Sequence, residues 1–338
     1  MSNFSLLITK WFRQNKRELP WRNISDPYLI WLSEIILQQT KVDQGLSYYT
    51  KFSKKYPTVE HLANAEEIEV LREWQGLGYY SRARNMHYSA KLIVAEYNGI
   101  FPSSFEIILG LKGVGTYTAA AISSIAFHQK KGVVDGNVYR VLSRVFDIAI
   151  PIDSGNGKRH FQQLADTLIS ESNPGEHNQA LMEVGATICA PKNPNCNSCP
   201  LNGMCASLQN KTIELRPVKE QKTKVKNRYF HFLLYATENE VIIEKRNQKG
   251  IWFNMYQFPL IEALTSESRI SSSLSKSKIK ESEEIIHRLS HQKIHATFHH
   301  FDTFPSVIES NWLVINKDQI TNYPLPRLID RYLEHNMI

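Results

Sequence analysis

The chain of 338 residues contains four cysteines, and all of them fall within positions 189–205, with six, two and five residues between successive members. A secreted disulfide framework spreads its cysteines along the whole chain, so this clustering excludes that design. One compact loop can instead deliver four thiolates to a single centre. Zinc sites of four cysteines usually offer two separated close pairs, whereas here only Cys196 and Cys199 are a close pair. The spacing of Cys189, Cys196, Cys199 and Cys205 therefore favours one four-iron, four-sulfur cluster, with structural zinc as the alternative.

The length predicts about two domains. Hydrophobic residues at 42% and charged residues at 22% exclude wholesale disorder. The first 21 residues carry Lys10, Arg13, Lys16, Arg17 and Glu18 among their apolar positions. No stretch approaches the apolar length of a spanning helix. A soluble, unexported protein without membrane contact is expected, cytoplasmic and nucleoid-associated if the source is prokaryotic. A net charge of +7 and a pI near 9.0 suit a polyanionic partner without identifying it.

Apolar residues recur at three- and four-residue spacing over 27–39, 58–74, 82–97, 116–127, 137–146 and 157–170, which predicts an all-α domain over residues 1–210. Pro27 suits a first helical turn behind a cap at Asp26, and Ser103 with Glu106 reads as a capping box. Residues 211–228 are basic and contain Pro217; they read equally as a solvated connector or as a linker beside a phosphate backbone. Residues 229–338 form a smaller α+β domain. Runs 229–236 and 240–245 around Glu238-Asn239 predict a hairpin, 294–301 and 312–315 are further strands, and 265–284 reads as a flexible segment running into a polar helix.

Two glycines in Leu111-Lys112-Gly113-Val114-Gly115-Thr116-Tyr117 let the backbone turn sharply and present N–H groups to a phosphate at a helix N-terminus. Alone, such a turn most often just connects helices. Shortly afterwards comes Val133-Val134-Asp135-Gly136-Asn137. Upstream, Glu34 sits in the apolar run Trp31-Leu32-Ser33-Glu34-Ile35-Ile36. Facing inward it would hold its proton near neutral pH and could donate it; on a wet helix face it would do neither.

The cysteine spacing resembles the cluster loop of the endonuclease III branch of DNA glycosylases, and the glycine turn with the Asp135 element resembles the helix-hairpin-helix glycosylase superfamily. Leu19-Pro20-Trp21-Arg22, the stretch from Trp31 to Gln38-Gln39-Thr40, and Gly76-Leu77-Gly78-Tyr79-Tyr80 together resemble the adenine DNA glycosylase (MutY) family. The resemblance covers nearly the whole chain. It implies a helical helix-hairpin-helix glycosylase domain with the cluster loop, then a MutT-like (Nudix-like) domain. The implied activity is base excision of adenine mispaired with 8-oxoguanine in double-stranded DNA, by a protein read as monomeric.

By alignment Glu34 takes the place of the general acid, Asp135 that of the carboxylate facing the oxocarbenium-like sugar carbon, and Tyr117 and Asn137 surround them. Asn137 could equally cap its helix. Bifunctional relatives carry Lys where Tyr117 stands, so the resemblance implies a monofunctional enzyme, with another lysine such as Lys112 a source of slow adventitious nicking. Gln38, Gln39 and Tyr79 fall at wedge and intercalating positions, Gly113 and Gly115 at the phosphate turn, and Arg22 and Gln179 beside the extruded adenine. Tyr79 and Tyr80 have core packing as the simpler reading. Leu289-Ser290-His291 falls where the family has Phe-Ser-His, making Ser290 and His291 readers of the oxidised guanine. An acidic Nudix-box helix is lacking, so nucleotide hydrolysis is not expected. His287, His291, His295, His299 and His300 would be scattered by strand alternation rather than gathered on a metal. The alternatives are an endonuclease III-like lyase acting on oxidised pyrimidines and a non-catalytic DNA-binding relative; other repair proteins could be further partners.

Overall fold

The computed structural model describes residues 2–220, 225–265, 280–282 and 284–336. These fall into two compact units, Met1–Asn64 with Asn85–Gln221, and Ala65–Arg84 with Lys222–Ile338. The helices in chain order are α1 (Ser2–Asn15), α2 (Pro27–Leu37), α3 (Val42–Lys55), α4 (Val59–Asn64), α5 (Glu67–Glu73) and α6 (Ser81–Tyr97). They continue as α7 (Phe105–Gly110), α8 (Thr116–Phe127), α9 (Gly136–Val145), α10 (Gly155–Leu168), α11 (Pro174–Thr187), α12 (Ala206–Gln209) and α13 (Arg327–Asn336). None of them is long and apolar enough to cross a membrane.

In the first unit, Phe4, Ile8 and Phe12 of α1 pack with Val141 and Leu142 of α9, Phe161 of α10 and Leu181 of α11 in one buried cluster. The three alanines 119–121 of α8 are fully or almost fully buried and lack the bulk that would hold neighbouring helices apart. Asp26 caps α2 by accepting from the Tyr28 N–H at 2.8 Å, with Pro27 in the first turn. The capping box read at Ser103 and Glu106 does not form. Ser104 is the N-cap of α7, and its hydroxyl bonds the Glu106 carboxylate at 2.9 Å instead of a backbone N–H. The run read as one helix over 58–74 is two, because Glu66 turns extended and starts α5.

Two corrections concern the domain boundary. Residues 65–84 group with the C-terminal unit because Asn254 donates to Glu67 at 2.6 Å, Arg84 to the Phe253 carbonyl at 2.7 Å and Leu325 N–H to Gln75 at 3.1 Å. Nor are residues 211–220 of the basic stretch 211–228 a free solvated connector. Arg144 donates to the Ile213 and Arg216 carbonyls, Arg216 pairs with Asp147 at 3.0 Å, and Ile152 N–H bonds the Val218 carbonyl at 3.0 Å. Residues 226–228 already belong to a strand.

That strand, β1 (Lys226–Tyr235), precedes β2 (Glu240–Lys245), β3 (Tyr256–Gln257), β4 (Leu260–Ala263), β5 (Lys280–Glu281), β6 (Ile285–Arg288), β7 (Gln292–Phe301) and β8 (Trp312–Asn316). The predicted β1–β2 hairpin is overturned. β1 runs parallel to β7 from Lys226↔Gln292 to Tyr235↔Phe301 and antiparallel to β4, so both its edges are taken. β2 joins a second sheet with β3 and β8, and only an Ala236↔Val241 bridge joins the two runs. Phe232 stacks on Phe298, directly opposite in register, and Phe298 on Tyr332 of α13 at 3.6 Å. In the stretch 265–284, read as running into a polar helix, 266–279 and 283 lie outside the described residues, and Lys280–Glu281 is a strand.

Candidate active site

A cavity of about 190 Å³ opens in the first unit between the residues before α2, α2 itself, the start of α8, the N-terminus of α9, and α11. Glu34 faces it from α2, Tyr117 from α8, Asp135 and Asn137 from the start of α9, and Arg22 and Gln179 complete the wall. Six residues singled out in the sequence thus meet in one place.

The two carboxylates stand in unequal environments. Burial pushes the Glu34 carboxyl up to about 7, Asp135 adds to the rise, and the 2.7 Å hydrogen bond from Tyr117 and the Arg22 charge oppose it. Glu34 therefore keeps its proton far above the ordinary carboxylate range and loses it around neutral pH. Burial raises Asp135 too, but that carboxylate accepts from the Val138 N–H at 2.7 Å and the Asn137 amide at 2.8 Å, and Arg140 lies near. These bonds favour its charged form. Asp135, not Asn137, is the N-cap of α9. Burial beside both carboxylates drives the Tyr117 phenol well above its ordinary range, so it stays a neutral donor.

Asn137 is itself held. Its side-chain oxygen accepts from Arg140 at 2.9 Å, which leaves its amide N–H for Asp135. Arg140 also donates to the Gly185 carbonyl at 2.7 Å and the Cys189 carbonyl at 2.6 Å. At Gly185 a Cβ would stand 2.6 Å from the Cβ of Asn137, so only glycine lets α11 approach α9 this closely.

Sequence reasoning missed Glu183, Arg17 and Met182. Glu183 is 1% exposed and salt-bridged to Arg17 and Arg22, and Met182 accepts from Tyr117 at 3.3 Å. The signal was available: Gln179, Met182 and Glu183 share one helix face, and an acid among Ala180, Leu181 and Val184 has reason to be buried and paired.

Gln38 closes α2 and donates to Thr118 at 3.2 Å, while Gln39 is exposed with a left-handed backbone, φ 55°. Gly113 has φ 85°, with Asn85 2.8 Å from where a Cβ would stand, and Gly115 is the N-cap of α8. In the second unit, Tyr79, Ser290 and His291 line a separate cavity of about 520 Å³ together with Trp252, His287 and Leu289. Ser290 and His291 form the tip between β6 and β7, closed by the Leu289 N–H to Gln292 carbonyl bond of 2.8 Å. The Tyr79 hydroxyl bonds Ser290. Tyr79 has φ 48° and is 42% exposed, an unfavourable backbone for a bulky residue, whereas Tyr80 is core at 5%.

Cys189, Cys196, Cys199 and Cys205 line a shared pocket with Arg144. Among the described residues no group of three or more His, Cys, Asp or Glu closes on a single metal ion. Burial raises the Cys199 thiol to about 11, and Cys189, Cys205 and Cys196 push it the same way. Four cysteine sulfurs on one wall are a donor set of the kind that suits an iron–sulfur cluster or zinc. Arg144, 2% exposed, donates to the Cys189 sulfur at 3.4 Å and the Ala190 carbonyl at 2.8 Å. Of the C-terminal histidines, His299 meets His231 at 3.0 Å, His295 meets Glu284 at 2.8 Å and His300 meets Tyr332 at 2.5 Å.

Residues 32–165 match the profile of HhH-GPD superfamily base excision DNA repair proteins, and 230–335 match that of a NUDIX domain. The solved structure of a thermostable thymine-DNA glycosylase is 31% identical with a TM-score of 0.57, over 61% of this chain and 95% of that one. An endonuclease III–DNA complex, 22% identical with a TM-score of 0.53, over 62% of this chain and 95% of that one, shares the fold. These matches define a DNA glycosylase of the HhH-GPD superfamily.

The adenine DNA glycosylase of Buchnera aphidicola subsp. Baizongia pistaciae (strain Bp) is 35% identical over 94% of this chain and 88% of its own length. That of Homo sapiens is 44% identical over 60% of this chain and 39% of its own. The chain belongs to the adenine DNA glycosylase family, enzymes of base excision repair that bind DNA.

Proposed function

We propose that this glycosylase excises adenine opposite 8-oxoguanine in duplex DNA, by hydrolysis and without strand cleavage. The observation that carries this reading is the pair Glu34 and Asp135 on one cavity, the first raised by burial to about 7 and the second accepting hydrogen bonds on both oxygens. Such a division of labour is what breaking a glycosidic bond requires.

With adenine extruded into the cavity, Glu34 protonates a ring nitrogen. The electron pair of the N-glycosidic bond then leaves with the base, and Asp135 stabilises the positive sugar carbon. Water adds to that carbon, its proton passes to a carboxylate, and an abasic site remains. Tyr117 donates to one Glu34 oxygen and leaves the other to carry the proton. As a phenol it cannot form the Schiff base that leads to strand cleavage. Asn137, oriented by Arg140, holds Asp135.

Recognition of the oxidised guanine is assigned to Tyr79, Ser290 and His291, on the support of their shared cavity and the strained Tyr79 backbone. Gly113 and Gly115 would hold a phosphate, and Gln38 and Gln39 would fill the gap left by the extruded base. A four-iron, four-sulfur cluster on Cys189, Cys196, Cys199 and Cys205 would cross-link that loop. Arg140 joins the loop to Asn137.

The test is single-turnover incubation with duplexes containing adenine opposite 8-oxoguanine, adenine opposite guanine, cytosine opposite 8-oxoguanine and an oxidised pyrimidine, with and without hot alkali. Breaks only after alkali, fastest for adenine opposite 8-oxoguanine, are expected. Breaks without alkali, or action on the pyrimidine alone, overturn the reading. Iron analysis with a visible spectrum tests the cluster; zinc without iron overturns that part.

A further inference from the structure

Glu183 is a buried acid that the proposed mechanism leaves without a task. Its Oε1 accepts from the Arg17 N–H at 3.2 Å and Arg17 Nε at 2.6 Å, and its Oε2 from Arg17 Nη2 and Arg22 Nη2, both at 2.9 Å. The other terminal nitrogen of Arg22, Nη1, donates to Gln179 Oε1 at 2.6 Å. That bond orients the Gln179 amide, oxygen toward Arg22, and leaves its N–H donors for other partners. Arg22 Nε is buried without a partner, and Arg22 lines the cavity.

We propose that Glu183 is a positioning residue for the excision reaction: it fixes the Arg22 fork against Gln179 and balances the Arg22 charge that faces Glu34. The inference rests on the reading of Glu34 as the acid. Burial pushes Glu183 up, and the hydrogen bonds and charges of Arg17 and Arg22 more than reverse this, so it is an anion throughout the neutral range.

The groups around Glu34 are Tyr117 on α8, Asp135 at the start of α9, Arg22 before α2, and Glu183 on α11 with Arg17 behind it. Arg22 alone would favour ionised Glu34, so an uncompensated Arg22 would strip the acid of its proton at lower pH. The carboxylate of Glu183 opposes this. Replacing it with an isosteric amide removes charge while keeping bulk and one acceptor.

The experiment is the single-turnover rate of the full chain on a duplex with adenine opposite 8-oxoguanine, from about pH 5 to about pH 9. Wild type, Glu183→Gln, Glu183→Asp and Arg22→Gln are compared, each checked by thermal melting. The wild-type rate falls as pH rises through about 7, where Glu34 loses its proton. In Glu183→Gln this falling limb moves down by roughly one pH unit, and in Arg22→Gln it moves up by a similar amount. Glu183→Asp, which keeps the charge, restores the wild-type limb.

A Glu183→Gln limb that coincides with wild type, under a lowered plateau or melting temperature, reduces Glu183 to a structural part and overturns the proposal. Should Glu183→Gln not fold, Arg22→Gln decides: an upward shift supports the inference and an unmoved limb overturns it. Glu34→Gln in the same series keeps the two readings separate. Retained excision in that variant defeats the acid assignment, whereas its loss with an unmoved Glu183→Gln limb defeats only the role of Glu183.

Discussion

The cavity of the helical unit and that of the sheet-bearing unit are built differently. The first, about 190 Å³, is walled by ionisable side chains held by neighbours: Tyr117 on Glu34, Asn137 on Asp135, Glu183 on Arg22. The second, about 520 Å³, is walled by Tyr79, Tyr80, Trp252 and Leu289, with a hydroxyl and an imidazole at a hairpin tip. Breaking a bond requires charges whose protonation is set by burial and whose geometry is fixed beforehand. Reading a base requires stacking surface and a few adaptable polar groups. Substitutions in the first cavity should therefore cost rate, and those in the second should cost discrimination.

Glu34→Gln should have the largest effect, a loss on the order of a thousandfold in single-turnover excision, with affinity for the duplex retained in a binding titration. Its melting behaviour sharpens the point. The folded-state value of Glu34 is raised to about 7, so the stability tied to its proton is present below the ordinary carboxylate range and lost as pH rises through about 7. Removing the acid removes that loss. At about pH 8 the variant should melt no lower than wild type, and a clear drop would mean that Glu34 holds the fold rather than serving the reaction. Asp135→Asn comes next, on the order of a hundredfold, because asparagine can still cap α9 through its oxygen while the carboxylate that the proposed mechanism needs is gone.

Gly185→Ala should cost roughly tenfold in rate, since the new methyl group must displace Asn137 and with it the donor to Asp135. Retention of the full rate at saturating enzyme would show that α9 and α11 can part without disturbing the acid pair.

The same contrast explains what could be read in advance. The helical unit declared itself locally: the cap at Asp26, the glycine turn before Tyr117 and the cysteine spacing each sit within a few residues of one another. Glu34, Asp135, Tyr117 and Asn137 could be picked out because each lies in such a short motif. Glu183 was legible only as an acid with reason to be buried, since its partners Arg17 and Arg22 lie more than 150 positions away. In the sheet-bearing unit, apart from the β6–β7 hairpin, the pairing is largely non-local. β1 looked like half of a hairpin because its neighbour in sequence is also a strand, yet its ten-residue partner is β7. Strand propensity identifies a strand but not which edge it will fill. Residues 65–84 read as part of a helical run, and only their bonds to Asn254, Phe253 and Leu325 assign them to the other unit.

The smallest effect belongs to the hairpin tip. Ser290 bonds Tyr79, and on the proposed reading a base edge would exchange into that hydrogen bond on binding. Such an exchange is worth about one hydrogen bond, and Ser290→Ala or His291→Ala should narrow the preference for 8-oxoguanine over guanine by about three- to tenfold. The rate on adenine opposite plain guanine should stay within about twofold, because neither side chain lines the cavity of Glu34 and Asp135. Measuring both substrates in one series separates the cavities: equal losses on the two would make the hairpin tip a general DNA contact, and loss confined to the oxidised substrate would make it a reader.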